Sequence, residues 1–150
     1  MIIETANFGK IEVPESKIID FTEPILGFED YQKYTIIRGL EDEPFYWLQS
    51  LDEGDLAFIM INPFQIFEDY SFNLPTKAKD KLAVKEDSVL LINTIVVIDQ
   101  DTGDIRTNLK APIIINGDNN KGAQVVLEED YPTRFYLFKG EMVVEEKVRE

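Results

Sequence analysis

The residues best placed to do chemistry are the carboxylates of Asp99, Asp101 and Asp104, grouped around Gly103 in the run Asp99-Gln100-Asp101-Thr102-Gly103-Asp104. Oxygen ligands at alternate positions suit a calcium loop, but such a loop also needs Gly at its sixth position and Glu at its twelfth. Counted from Asp99, those positions hold Asp104 and Lys110. The run therefore reads as a hairpin turn in which Gly103 takes a positive φ. A carboxylate pair could also serve as general acid and base, as in glycoside hydrolysis. With 29 acidic residues in 150, chance pairs are expected and none stands out. There is no His and no Cys. That removes the imidazole base, the Ser–His nucleophile, the common zinc sites and every disulfide. The glycine patterns that cradle phosphates are absent too. No catalytic residue, metal ligand or cofactor is assigned, and a binding role is the better reading.

Two groups of side chains suit binding. The first is Phe64, Phe67, Tyr70 and Phe72, interleaved with Glu68 and Asp69. Aromatic anchors ringed by polar groups concentrate energy at interfaces, and the two acids suit a basic partner. Two placements are open for these rings. They can dock a partner, or they can fold under the body of the protein as a plug. Phe67 and Tyr70, which flank the acids, are the ones expected to be exposed. The second group is Lys77, Lys79, Lys81 and Lys85. It reads as the solvated face of a helix. Without aromatics between the lysines to stack on bases, it is not a nucleic-acid site.

The elements that must carry these groups are mostly strands. Asp55-Leu56-Ala57-Phe58-Ile59-Met60-Ile61-Asn62-Pro63-Phe64 opens on a turn and runs without charge to Asn62-Pro63, where proline ends it. An uninterrupted apolar run between turn signals reads as a strand buried on both faces. Asn108-Leu109-Lys110-Ala111-Pro112-Ile113-Ile114-Ile115-Asn116 has the same character, and these two stretches are expected at the centre of the fold. Further strands are expected at Met1–Thr5, Lys10–Val13, Ile18–Phe21, Tyr34–Ile37, Phe45–Ser50, Val89–Ile98, Ile105–Leu109, Ala123–Leu127 and Phe135–Phe138. Turns fall at Pro24–Phe28, whose apolar anchors are expected to tuck under the sheet, at the acidic Leu40–Pro44 and at the Gly/Asn-rich Gly117–Gly122. One helix is expected, with Pro75 at its first position, ending near Val84 and burying Ala78 and Leu82. Short strands in series with one short helix predict a mostly β, single-domain, antiparallel β-barrel-like fold over 1–138. Residues 139–150 are left as a tail or short helix.

At 44% hydrophobic and 11% aromatic, the chain can bury a real core. It holds no apolar run near twenty residues and no basic-then-apolar leader, so a soluble, unexported, cytoplasmic protein is expected, with no membrane partner. The net charge is −14, and it is unevenly spread. Residues 1–75 carry fifteen acidic and four basic side chains, against fourteen and eleven in residues 76–150. A surface of that sign repels phosphates and attracts basic proteins.

Several blocks together resemble the FliW family of bacterial flagellar assembly factors. They are Phe21 through Gly27-Phe28, Leu48-Gln49-Ser50, the Asp55–Phe64 run, and Thr107 through Asn116, with a weaker match at Tyr131-Pro132-Thr133-Arg134. The resemblance runs from residue 1 to about 138. The family commonly has Gly-Leu-Pro-Gly-Phe where this chain has Pro24-Ile25-Leu26-Gly27-Phe28, and a His where this chain has Phe135. Of the matched positions, Leu56, Phe58, Asn62, Pro63, Asn108, Pro112 and Asn116 are read as structural. The resemblance implies a non-enzymatic partner switch, a monomer, that binds flagellin and the RNA-binding translational repressor CsrA. By holding CsrA it would free the flagellin transcript for translation, and flagellin would compete for it. The alternatives are a β-barrel that holds a small ligand and a carboxylate-dependent hydrolase. A filled barrel would favour the protein binder over both.

Overall fold

Alternation along consecutive strands decides the architecture. The computed structural model describes residues 1–39 and 43–140. Its strands are β1 (Ile2–Thr5), β2 (Gly9–Glu12), β3 (Ile19–Glu23), β4 (Lys33–Arg38), β5 (Phe45–Ser50), β6 (Ala57–Ile61), β7 (Leu90–Ile98), β8 (Ile105–Thr107), β9 (Ile113–Asn116), β10 (Lys121–Gln124) and β11 (Phe135–Phe138). The one α-helix among the described residues is α1 (Thr76–Lys81). Ile19 and Phe21, Tyr34 and Ile36, Tyr46 and Leu48, Phe58 and Met60, and Ile113 and Ile115 all pack into one cluster. Each pair is two residues apart on its strand, so all of them face the same side. A sheet with one continuous apolar face removes it from water by curling until its ends meet.

The ends meet at β7 and β9. Seven strands form a closed ring in the order β3, β4, β5, β6, β7, β9, β10 and back to β3. The interior is filled by side chains, with Leu48, Met60 and Ile113 fully buried. The fold is thus mostly β, a closed barrel with one short helix. Its joints are antiparallel except one, since β10 runs parallel to β3. β8 and β11 continue the sheet outward from β7 as a two-stranded flap. β1 and β2 form a separate hairpin, held by the Ala6 N–H donating to the Gly54 carbonyl at 3.1 Å and by Phe8 edge-on against Trp47 at 5.4 Å.

Three expectations need correction. The run at 56–61 is not buried on both faces: Ala57, Phe58 and Ile59 are half-buried, and only Met60 and Ile61 are buried. The reason is register. Ile59 pairs with Trp47 and Val96, which places it on the opposite face from Phe58 and Met60, toward a partly open surface. The strand buried at every position is β9. The helix is shorter than expected, and Pro75 is its cap rather than its first residue. It ends at Lys81 because Ala83 turns left-handed, at φ 51, so that Val84 N–H reaches the Lys79 carbonyl at 2.9 Å. Ala78 and Leu82 are its buried edge as expected. The acidic turn at 40–44 and the tail at 139–150 lie largely outside the described residues.

Two positions show how tightly the barrel interior is filled. Tyr34 is fully buried, its hydroxyl has no partner among the described residues, and burial pushes its phenol up to about 12. Gly122 sits opposite Phe21 on the parallel joint, where a Cβ would lie 2.7 Å from the Phe21 ring. That ring fills the interior only because position 122 has no side chain. Gly122→Ala is expected to lower stability by ~1–3 kcal/mol through overpacking. Chemical denaturation checks this: adding Phe21→Leu should recover part of the loss, whereas a midpoint unchanged by Gly122→Ala alone would refute the packing argument.

Candidate functional site

The segment from Asn62 to Leu74 leaves the central strand through a built corner. Pro63 stops the strand, and the Asn62 Oδ1 accepts the Phe64 N–H at 2.9 Å, which caps a single 3₁₀ turn over Pro63–Gln65. Beyond it the aromatic residues knit together. Tyr70 packs against Phe64 at 5.4 Å, Phe72 at 5.7 Å and Tyr131 at 4.7 Å, and Phe67 meets Tyr131 at 5.6 Å and Phe135 at 5.4 Å. The Tyr70 hydroxyl donates to the Leu109 carbonyl at 2.8 Å, and burial raises its pKa above the usual phenol value. Tyr131 donates to the Ser71 carbonyl at 2.7 Å and accepts the Ser71 N–H at 2.9 Å. The Glu129 carboxylate accepts the Asn73 N–H at 2.9 Å; that bond is the first cause holding its pKa below the usual range.

This cluster covers the outer face of the barrel, over Ile114, Ala123 and Val125, together with α1. The expected exposure of Phe67 and Tyr70 is therefore corrected: Tyr70 is buried, and Phe67 and Phe72 are half-buried. Phe64 is instead the exposed ring, at 47%. The physical reason is that Tyr131 and Phe135 supply partners for Phe67 and Tyr70, while Phe64 has Tyr70 as its one aromatic partner among the described residues. Of the six residues considered for docking, Phe64, Glu68 and Asp69 are exposed.

The asparagines of the long apolar blocks each tie backbone. Besides Asn62, the Asn108 Oδ1 accepts the N–H groups of Lys110 at 3.0 Å and Ala111 at 3.1 Å, just before buried Pro112. Asn116 is fully buried; its Nδ2 donates to the Leu82 carbonyl at 2.9 Å and so fastens the end of α1 to β9. Phe58 sits half-buried at the barrel mouth, edge-on to Phe28 at 4.9 Å, and Leu56 is half-buried beside it in sequence.

The chemistry-bearing groups stay apart. Asp99 Oδ1 accepts the Asp101 and Thr102 N–H groups, and Gly103 has φ 78, so the run is the hairpin turn expected. No cluster of three acids able to hold a metal occurs among the described residues. Lys81 pairs with Glu23 at 2.8 Å, and Lys77, Lys79 and Lys85 are exposed. No described helix is long and apolar enough to cross a membrane.

Residues to which the sequence reading gave no binding role gather at one barrel mouth. Leu26, Phe28, Phe58, Ile95 and Val97 line an open groove of about 700 Å³ that ends at Arg106 and Arg134. Beside it lies a depression containing Glu29, Asp30, Glu53 and Asp55. The available signal was a large apolar residue inside a glycine turn.

A family model described as FliW protein matches residues 2–137. A flagellar assembly factor FliW of Caldicellulosiruptor bescii is 44% identical over 139 residues, covering 92% of this chain and 91% of its own. Another, of Caldanaerobacter subterraneus subsp. tengcongensis, is 43% identical over 148 residues, covering 98% and 96%. The crystal structure of the flagellar assembly factor FliW matches with a TM-score of 0.83 at 32% identity, over 92% of this chain and 97% of that one.

The aromatic cluster makes a prediction that separates packing from surface. Tyr70→Phe strands the buried Leu109 carbonyl and should cost about 1 kcal/mol or more. Phe64→Ala should cost less than about 1 kcal/mol, because its ring is half in solvent. Urea midpoints check both, and a larger loss at Phe64 than at Tyr70 would reverse the assignment.

Proposed function

The chain belongs to the FliW family, the flagellar assembly factors, and from that premise we propose that it acts without catalysis, as a cytoplasmic partner switch. It binds flagellin and the translational repressor CsrA, and by occupying CsrA it releases the flagellin transcript. The observation that carries this reading is the charge: −14 overall, with fifteen acidic and four basic side chains in residues 1–75. A repressor that grips RNA must be basic, so an acidic protein is steered toward it and disfavours phosphate beside it. The same charge argues against RNA binding by this protein itself. The filled barrel supports a surface binder over a small-ligand carrier, because the interior offers a ligand little room. Of the six residues read as docking candidates, Phe64, Glu68 and Asp69 are the exposed ones.

Titration calorimetry with the cognate CsrA tests the proposal. Binding is expected at low salt, with association slowing as salt screens the opposite charges. The protein alone should leave flagellin leader RNA unshifted in a gel. No heat of binding at low salt, or a discrete RNA band without CsrA, would count against it.

A further inference from the structure

The turn Ile25–Phe28 holds one apolar side chain out in solvent. Phe28 N–H donates to the Ile25 carbonyl at 2.8 Å and closes the turn, with Gly27 at φ 90 in its third position. A non-glycine residue rarely adopts that φ, and type II turns place Gly there for this reason. The two remaining amides are both taken by side chains. Leu26 N–H donates to the Gln124 Oε1 at 2.8 Å, and Gly27 N–H to the Glu29 Oε2 at 2.7 Å. Ile25 is buried beneath, and Phe28 leans on Phe58. Leu26 between them is 64% exposed, more than any other large apolar side chain among the described residues. A turn with its amides satisfied is already ordered, so a partner that receives Leu26 does not pay to order it.

On one side of the turn the ground is acidic, while the groove on the other side carries Arg106 and Arg134. The depression shared by Gly27, Phe28 and Tyr31 contains the carboxylates of Glu29, Asp30, Glu53 and Asp55 and no cation. Glu29 and Glu53 each accept a neighbouring amide. Asp30 and Asp55 are exposed, and their carboxylates have no hydrogen-bond or ion-pair partner among the described residues. Like charges gathered in one concavity repel each other, and a cationic surface seated on them relieves that repulsion.

We infer that this barrel mouth is the docking surface for a basic protein, with Leu26 as the apolar anchor and Asp30 and Asp55 choosing the partner by charge. The occupant is a protein that presents Lys or Arg around an apolar pocket. The inference rests on the proposed function, whose basic repressor is that occupant, and it places the contact here rather than on Phe64–Phe72. The groove through Phe28, Phe58 and Val97 gives the partner's apolar rim a second place to rest.

Calorimetry at low salt with the cognate basic repressor decides the matter, using the full chain, Leu26→Asp, Leu26→Ala, and the double variant Asp30→Lys/Asp55→Lys. Phe64→Ala serves as comparator. Leu26→Asp should weaken binding about thirtyfold or more, the range of an interface anchor. The double variant should weaken it and flatten its salt dependence. Melting temperatures should hold, since all three side chains face solvent; Leu26→Ala repeats the test more gently if the aspartate disturbs folding. Full binding by both Leu26 variants and by the double variant, or a loss confined to Phe64→Ala, overturns the docking surface while leaving the partner in place. Absence of binding by the unaltered protein overturns the partner and the surface together.

Discussion

Everything in this molecule depends on β7 being paired along both edges. One edge meets β6 through Thr94, Ile95 and Val96. The other is divided: Leu90–Asn93 pairs with Asn116–Ile113 of β9, and Val96–Ile98 pairs with β8. The first division closes the barrel and the second carries the flap. If the β7–β9 joint opened, β9 would become a sheet edge made of Ile113, Ile114 and Ile115, the kind of edge that pairs with other chains. Closure also sorts the side chains. Ile113 and Ile115 face the filled interior, while Ile114 faces the outer cluster with Tyr70 and Leu82. One strand thus serves two cores, which explains why every position of β9 is buried.

Around that closed ring, polar atoms are used mainly to fasten segments. Asn116 joins α1 to β9, Tyr70 joins the aromatic segment to Leu109, and Gln49 donates to the carbonyls of Ser50, Gly54 and Leu56 at the β5–β6 turn. These are fully buried or nearly so, where a satisfied hydrogen bond stabilises and an unsatisfied one costs. Asp30 and Asp55 at the barrel mouth do the opposite: exposed and unpaired among the described residues, they contribute little to the fold. Rigid support and solvent-facing charge therefore sit largely on different residues.

What could be read from the sequence was local. Turns at Gly9, Gly27 and Gly103 all have positive φ, and the strands between such turns were legible from their β-branched and aromatic content. What could not be read depended on distant partners. Tyr70 and Phe67 looked like exposed rings because Tyr131, which packs on both, and Phe135, which packs on Phe67, lie about sixty residues or more further on. The Pro24–Phe28 turn was expected to tuck its apolar residues under the sheet; Ile25 does so, but Leu26 is left exposed, its amide pinned by Gln124, 98 residues away. The parallel joint between β3 and β10 left no signal, since it pairs strands a hundred residues apart through a glycine that yields space to Phe21. The burial of β6 was overestimated because an apolar run does not reveal which face its neighbours will cover.

The central claim is that closure at β7–β9 holds the barrel together and that the surfaces around it are carried passively. Native-state amide hydrogen exchange on the free protein tests it most directly. The hydrogen-bonded amides of Leu90–Asn93 and Ile113–Asn116 should exchange slowest, together, and at the free energy of global unfolding, while β8 and β11 open earlier. Exchange at the β7–β9 joint faster than at β4–β5, or protection in the flap equal to that of the ring, would contradict the account.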